Sequence, residues 1–391
     1  MSDTRSARRQ AKHRTRTARP PVPRLPHLQE LEAWRGLAAF GVLLTHAGFL
    51  SGATGGQVLP GFLSRMDMGV AVFFVLSGFL LYRPYATSVS GKTGTPGSRR
   101  FFIRRVARIV PAWLAVLIGA VILIPQARSA GTEAWAANLL QLQSLRFEWD
   151  LPGLTQLWSL STEVAFYVCL PVIALLVRRV TRGASPGAHL MAVASLIPMA
   201  WMFRLAFHAG LLPDGFTWLR TFPGMLDWFA LGMVLAVLMT YQDHWNAVVE
   251  TIKTSGNALL VMAAGIFWVL TTSIAGPYDL SPSTGWQSTM RHLGSGLVAA
   301  LLVYPSAVGA RTILTGALQS RPLGYLGKIS YAFFLWHLPL MLWLRASLGY
   351  DMFGGHFWTT VILTALTTAL VSAASWHFLE SPILDVARRR T

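Results

Sequence analysis

Long stretches without a formal charge recur along this chain, and they restrict its fold more than any motif does. Uncharged runs of 29 residues between Arg35 and Arg65, 19 between Arg108 and Arg128, and 21 between Arg182 and Arg204 are joined by shorter ones at 68–82 and 164–177. The stretch from Arg220 to Asp243 is broken only by Asp227, and further uncharged runs cover 254–278, 292–310, 329–344 and 352–379. About 20 apolar residues cross a bilayer as helix, and in lipid the backbone satisfies its hydrogen bonds only as helix or closed barrel. The pattern therefore predicts an all-α polytopic membrane protein, one bundle of ten spans near 34–51, 68–83, 107–126, 158–177, 187–206, 221–241, 257–275, 290–309, 329–348 and 357–378. Charged residues make up 13% of the chain, against about 25% in an average soluble domain, which excludes an ordinary cytosolic enzyme.

The charges that remain are unevenly placed. The net charge is +17, from 33 basic and 16 acidic residues. Ten spans with a cytoplasmic N-terminus put 26 of the 33 basic residues on the inner side, so the positive-inside rule supports an N-in, C-in topology. Residues 1–27 hold eight basic residues and one acid and are almost devoid of apolar groups, so they read as a disordered cytoplasmic tail. Beside a membrane domain, the expected partner of such a tail is anionic lipid rather than nucleic acid. The membrane domain is expected over 28–382, with a short basic cytoplasmic tail at 383–391. The single cysteine, Cys169, excludes an intramolecular disulfide and a cysteine-rich metal site, and no metal or bound cofactor is expected.

An ionisable side chain inside a span costs roughly 2.5 to 3.5 kcal/mol on insertion scales and is a candidate for function. Arg35, His46, Glu163, Asp227 and His337 are such residues here. Arg35 and His46 are eleven residues apart, about three full helical turns and a rise of about 16 Å, so both project from one face. Counted from the expected helix ends, His46 and Glu163 lie at equal depth near the outer edge. A carboxylate at that depth could orient the imidazole as a general base. At the inner end of span three, residues 98–111 carry five arginines, of which Arg105 and Arg108 share a helical face suited to phosphate oxygens.

Several strings together resemble the acyltransferase-3 family of bacterial integral-membrane acyltransferases. Arg35 and His46 fit its R-x10-H pattern, and Gly69-Val70-Ala71-Val72-Phe73-Phe74-Val75-Leu76-Ser77-Gly78-Phe79 matches its second block. Arg105 and Arg108 fit R-x-x-R, and Trp158-Ser159-Leu160-Ser161-Thr162-Glu163 fits W-S-L-S-x-E. Gly327-Lys328-Ile329-Ser330-Tyr331 with Trp336-His337-Leu338-Pro339, and Glu380-Ser381-Pro382, complete the series. In one departure, Ala33-Trp34 stand where relatives often carry a glycine pair, which adds bulk at the cytoplasmic mouth.

The resemblance implies transfer of an acyl group, acetyl or another short acyl, from cytoplasmic acyl-CoA as co-substrate to a hydroxyl of an envelope glycan, glycolipid or glycosylated natural product, in the bacterial plasma membrane. His46 is then the expected general base with Glu163 orienting it, and Arg35, Arg105 and Arg108 hold the CoA phosphates. Ser77 or Ser161 could stabilise the oxyanion, and Tyr331 and His337 complete the substrate-binding set. Many relatives carry an added extracytoplasmic domain after the last span; here about a dozen residues follow it, so the membrane domain is expected to act alone or with a separate partner. A proton-coupled or anion transporter is the alternative, since buried His, Glu and Arg also make ion pathways. An R-x10-H pair with both residues inside one expected span occurs once, at Arg35 and His46, whereas inverted repeats would show a second copy.

Overall fold

The computed structural model describes residues 26–55, 60–182, 185–279 and 281–390. Among them the regular structure is helical throughout. The chain runs through α1 (Pro26–Ser51), α2 (Gly69–Val89), α3 (Ser98–Leu123), α4 (Trp158–Val180), α5 (Pro186–Ala194) and α6 (Leu196–His208). It continues through α7 (Phe222–Thr240), α8 (Asn246–Thr254), α9 (Gly256–Leu270), α10 (Gly285–Val308), α11 (Arg321–Ser347), α12 (Phe357–Ala374) and α13 (Ser381–Arg390), with a π-helical turn at Ser375–Glu380 between the last two. Apart from its last two residues, the basic tail expected over 1–27 lies outside the described residues.

Helix occupies all ten of the expected stretches, although the fifth is broken at Ser195 between α5 and α6. Seven helical stretches are long and apolar enough to cross a membrane, and the α8–α9 pair, bent by 71°, makes an eighth if it is one span. Helices α10 and α11 fall outside that set. Both are largely buried and carry Ser, His and Gly on their buried faces, so they need not be apolar all round. On the periphery, Ile118 and Ile122 of α3, Val168, Val172 and Leu176 of α4, Met202 and Leu205 of α6, and Trp358 and Leu370 of α12 are each more than half exposed. An apolar surface of this extent, at four-residue helical spacing, matches lipid rather than water.

Helices α1, α2, α7 and α11 form the centre. Close approach of α2 and α7 depends on two glycines: a Cβ on Gly78 would lie 2.0 Å from the Phe229 carbonyl oxygen, and one on Gly232 would lie 1.9 Å from that of Val75. The two backbones touch there, as small residues allow between membrane helices. This contact fixes the height of the preceding residue, Ser77. The segment between α3 and α4 folds inward, burying Gln143, Ser144, Leu151, Leu154 and Gln156. The Gln156 amide Nε2 donates to the Leu335 carbonyl of α11 at 2.8 Å.

Candidate active site

Two cavities enter the bundle and meet at a narrow neck. The first, of about 460 Å³, is lined by Arg35, Arg104, Arg105, Arg108, Lys328 and Arg388, with Glu32, Ser77, Glu163, Tyr167, Tyr331 and Trp376 among them. The second, of about 670 Å³, is lined by His46, Asp67, Asp150, Gln156, Trp158, Arg204, Arg220, Trp228, Arg291 and His292, among others. A void of only about 30 Å³ lies between, bounded by Arg35, Val70, Phe73, Phe74, Ser159, Leu160, Glu163, Tyr331 and Phe334. It shares Arg35, Glu163 and Tyr331 with the basic cavity and Val70 and Phe334 with the other. Arg35 and His46 thus face the interior from one side of α1, as their spacing requires, but they serve opposite cavities.

The expected pairing of His46 with Glu163 does not form. Glu163 Oε1 accepts from the Ser77 hydroxyl and from the Tyr167 hydroxyl, each at 2.5 Å. His46 Nδ1 lies 3.0 Å from Nε2 of His337. Glu163 lies deeper than its five-residue distance from the start of α4 implies, because α4 itself starts below the membrane edge. In the structure the 3-10 turn Thr155–Leu157 precedes α4, and Trp158 already lines the second cavity, so Glu163 lies about 7.5 Å deeper still.

His337 lines neither cavity and stands behind His46. Its Nδ1 lies 2.7 Å from the Phe334 carbonyl, which can only accept, so that nitrogen carries the proton of a neutral ring. Its Nε2 is then an acceptor, and His46 Nδ1 must donate to it. The same logic leaves Nε2 of a neutral His46 without a proton, which makes it a base beside the second cavity.

The remaining expected residues divide between the cavity walls and the scaffold. Arg105 lies over the Tyr167 ring at 5.8 Å, and its Nε has no hydrogen-bond partner among the described residues. Arg108 sits 5.6 Å over Tyr331 and 5.3 Å over Trp376 and pairs with Glu380 at 3.4 Å. The Tyr331 hydroxyl donates to the Ile109 carbonyl at 2.9 Å. Ser161 is absent from both cavities: its hydroxyl bonds to the Gln141 carbonyl and lies 3.0 Å from Ser144 Oγ, tying the α3–α4 segment to α4. Trp34 turns away from the basic cavity and donates to Ser306 Oγ at 3.0 Å, so its bulk does not narrow the mouth.

Three features of the site had no role in the sequence reading. Glu380, fully buried, holds Arg108 and accepts from Ser375 Oγ at 3.1 Å; the π turn that contains it also brings Trp376 into the cavity wall. The sequence around 383–391 read as a tail, yet α13 contributes Leu384, Ala387 and Arg388 to that wall. In the second cavity the carboxylate-held imidazole is His292, whose Nε2 lies 2.8 and 2.9 Å from the Asp227 oxygens under a stacked Trp228. Asp227 was visible as a charge within a span, but nothing in the spacing tied it to a residue 65 positions on. At the rim, burial pushes the Asp150 carboxyl above its ordinary range, while Arg220, 3.0 Å away, pulls it down.

A helical bundle with an apolar outer surface, a basic cavity and a histidine-bearing cavity joined at a neck defines a membrane protein with two polar interior chambers. The chain belongs to the acyltransferase family: the family's acyltransferase domain matches residues 28–376. It is 24% identical to the peptidoglycan O-acetyltransferase OatA of Listeria monocytogenes over 95% of this chain and 57% of that protein. It is 25% identical to the O-acetyltransferase OatA of Staphylococcus aureus over 91% of this chain and again 57% of the relative. It is 28% identical to the acyltransferase MdmB of Streptomyces mycarofaciens over 95% of this chain and 94% of MdmB. The chain thus spans a little over half the length of the two OatA relatives and nearly all of MdmB. No solved structure matches it.

Proposed function

We propose that the chain moves an acyl group, acetyl or another short acyl, from cytoplasmic acyl-CoA to a hydroxyl of a sugar-containing acceptor: an envelope glycan, a glycolipid or a glycosylated natural product. The observation that carries this reading is the six cations of the basic cavity, which lead to the neck beside Glu163. Coenzyme A presents several phosphates at one end and a thioester on a long arm at the other. Guanidinium forks match phosphate oxygens, and the arm extends from them toward the neck.

In this reading the chain crosses the bacterial plasma membrane ten times with both termini inside, so the basic cavity faces the cytoplasm. The N-terminal tail lies against anionic lipid. The acceptor enters the second cavity, where Trp158 and Trp228 offer ring faces and Gln156, Arg204 and Arg291 offer hydrogen bonds. His46 Nε2 takes the proton of the acceptor hydroxyl and His337 positions it, in place of the carboxylate expected from sequence. Arg35, at the neck, meets the negative charge that builds on the carbonyl oxygen.

Lipid and glycan profiling of a strain lacking this gene tests the reading. One species is expected to lose the mass of one acyl group, and the wild-type gene restores it while an Arg105→Ala/Arg108→Ala double variant of equal abundance does not. An unchanged profile, or full restoration by the double variant, overturns it.

A further inference from the structure

Resting on the transferase reading above, we propose that the nucleotide end of the donor lies in a groove beside the basic cavity, where Arg100 reads the ribose 3′-phosphate and Tyr85 the adenine. The groove, of about 560 Å³, runs between the end of α2, the start of α3 and the segment that joins them. It shares Leu80, Leu81, Arg104 and Arg105 with the basic cavity, so the two spaces are continuous. Three arginines line it, and among the described residues no Asp or Glu does.

The arginines are set along a path. Arg100, Arg104 and Arg108 follow one another at four-residue spacing on one face of α3, each about 6 Å further along the axis than the last. Arg100 lines only the groove, Arg104 lines both spaces, and Arg108 lines only the basic cavity. Coenzyme A carries its charge at two places, a diphosphate where the pantetheine arm begins and a 3′-phosphate on the ribose. With the diphosphate at Arg104 and Arg105, where the spaces join, the arm runs toward the neck and the 3′-phosphate falls to Arg100.

A purine is apolar on its faces and polar at its edge, and the groove offers partners for both. Leu80, Leu81 and Pro84 supply apolar wall, and Phe101 meets Tyr85 edge to face with ring centroids 6.1 Å apart. Tyr85 is 5% exposed, and its hydroxyl has no hydrogen-bond partner among the described residues. Arg105 Nε is a second such atom in the same wall. Buried polar groups are costly to leave unpaired, and a base edge and a phosphate supply what these two atoms lack.

The segment joining α2 and α3 is held as a fixed wall. Arg178 of α4 bonds to Thr95 Oγ1, Lys92 Nζ donates to the Thr240 carbonyl of α7 at 2.6 Å, and the Thr93 hydroxyl donates to Thr87 Oγ1 at 3.1 Å. The groove is therefore shaped before the donor arrives. An anionic lipid headgroup shares the phosphate of this ligand but not its purine, so the test turns on a nucleotide.

Binding is the readout, and no acceptor is needed. The purified full chain in phosphatidylcholine nanodiscs is expected to bind radiolabelled coenzyme A about tenfold tighter than dephospho-coenzyme A, which lacks the 3′-phosphate, as loss of one charge-assisted hydrogen bond implies. Adenosine 3′,5′-bisphosphate, which has no pantetheine arm, displaces the label. Arg100→Ala lowers coenzyme-A affinity to that of dephospho-coenzyme A and leaves the latter unchanged, and Arg100→Lys keeps part of the difference. Arg100 is exposed, so both variants melt as wild type does. Tyr85→Phe weakens both nucleotides alike yet melts no lower than wild type, because it removes a hydroxyl that no described residue bonds. If Arg100→Ala weakens both nucleotides equally, or the bisphosphate fails to displace the label, the groove is not the nucleotide site. Equal affinity of the wild-type chain for the two nucleotides overturns the proposal too, but leaves the transferase reading intact because the donor still binds. A wild-type chain that binds neither defeats that reading as well.

Discussion

Replacing His46 with alanine removes the one ring nitrogen that the hydrogen-bond chain from Phe334 through His337 leaves without a proton beside the second cavity. General-base catalysis contributes about 10² to 10⁴ in rate, so transfer is expected to fall by that much, with acetyl-CoA affinity unchanged, because donor phosphates and imidazole occupy opposite cavities. His337→Ala is expected to cost less, since His46 stays in place but loses the partner that fixes its tautomer. The check is the turnover number and donor KM of each variant; a shift in donor KM alone would mean that His46 acts in binding. The shared face of Arg35 and His46 was legible in the sequence because two residues of one helix are related by known angle and rise. The partner of His46 was not. His337 sits 291 positions away, and which of two buried imidazoles meets which carboxylate depends on the tilt and height of helices that spacing alone does not fix.

Between helices, the α2–α7 contact carries the most consequence for the site. Gly78→Ala would place a methyl group 2.0 Å from the Phe229 carbonyl oxygen, a backbone atom that cannot turn aside. The helices must part, at a cost of about 1 to 3 kcal/mol, and thermal unfolding is expected at lower temperature. Ser77 precedes Gly78, so activity should fall further than the stability loss accounts for; an active variant with wild-type melting would show that the contact is looser. The helix positions were readable from uncharged runs, because lipid penalises charge wherever a helix faces it. Of the ten spans that the uncharged runs mark, seven or eight are strongly apolar as helices, while α10 and α11 are shielded by their neighbours and keep polar residues. The inward fold of the α3–α4 segment escaped notice for a related reason: its polar side chains, such as Gln156, look solvent-exposed until the carbonyl that satisfies them is known.

At the scale of the whole molecule, orientation can be measured with the chain's own scarcity of cysteine. In a Cys169→Ala background, Gly94→Cys and Glu133→Cys place single thiols at exposed sites on the two connections flanking α3. A membrane-impermeant maleimide applied to intact cells is expected to label the second and spare the first. The reverse pattern would put the basic cavity outside, away from any cytoplasmic donor, and would defeat the functional reading along with the topology.

The small void between the cavities has a bearing on the cell as well as on the reaction. With the topology proposed above, the two cavities open on opposite sides of a membrane that stores work as a voltage, about 2.3 kcal/mol for each elementary charge per 100 mV, and a water-filled path between them would be a short circuit. The aromatic collar of Phe73, Phe74 and Phe334 is then an insulator. Trimming it, as in Phe334→Ala, should let protons leak, seen as slowed growth and faster collapse of a pH gradient in proteoliposomes without acyl-CoA. A gradient that decays no faster than with wild-type protein would show that the seal lies elsewhere.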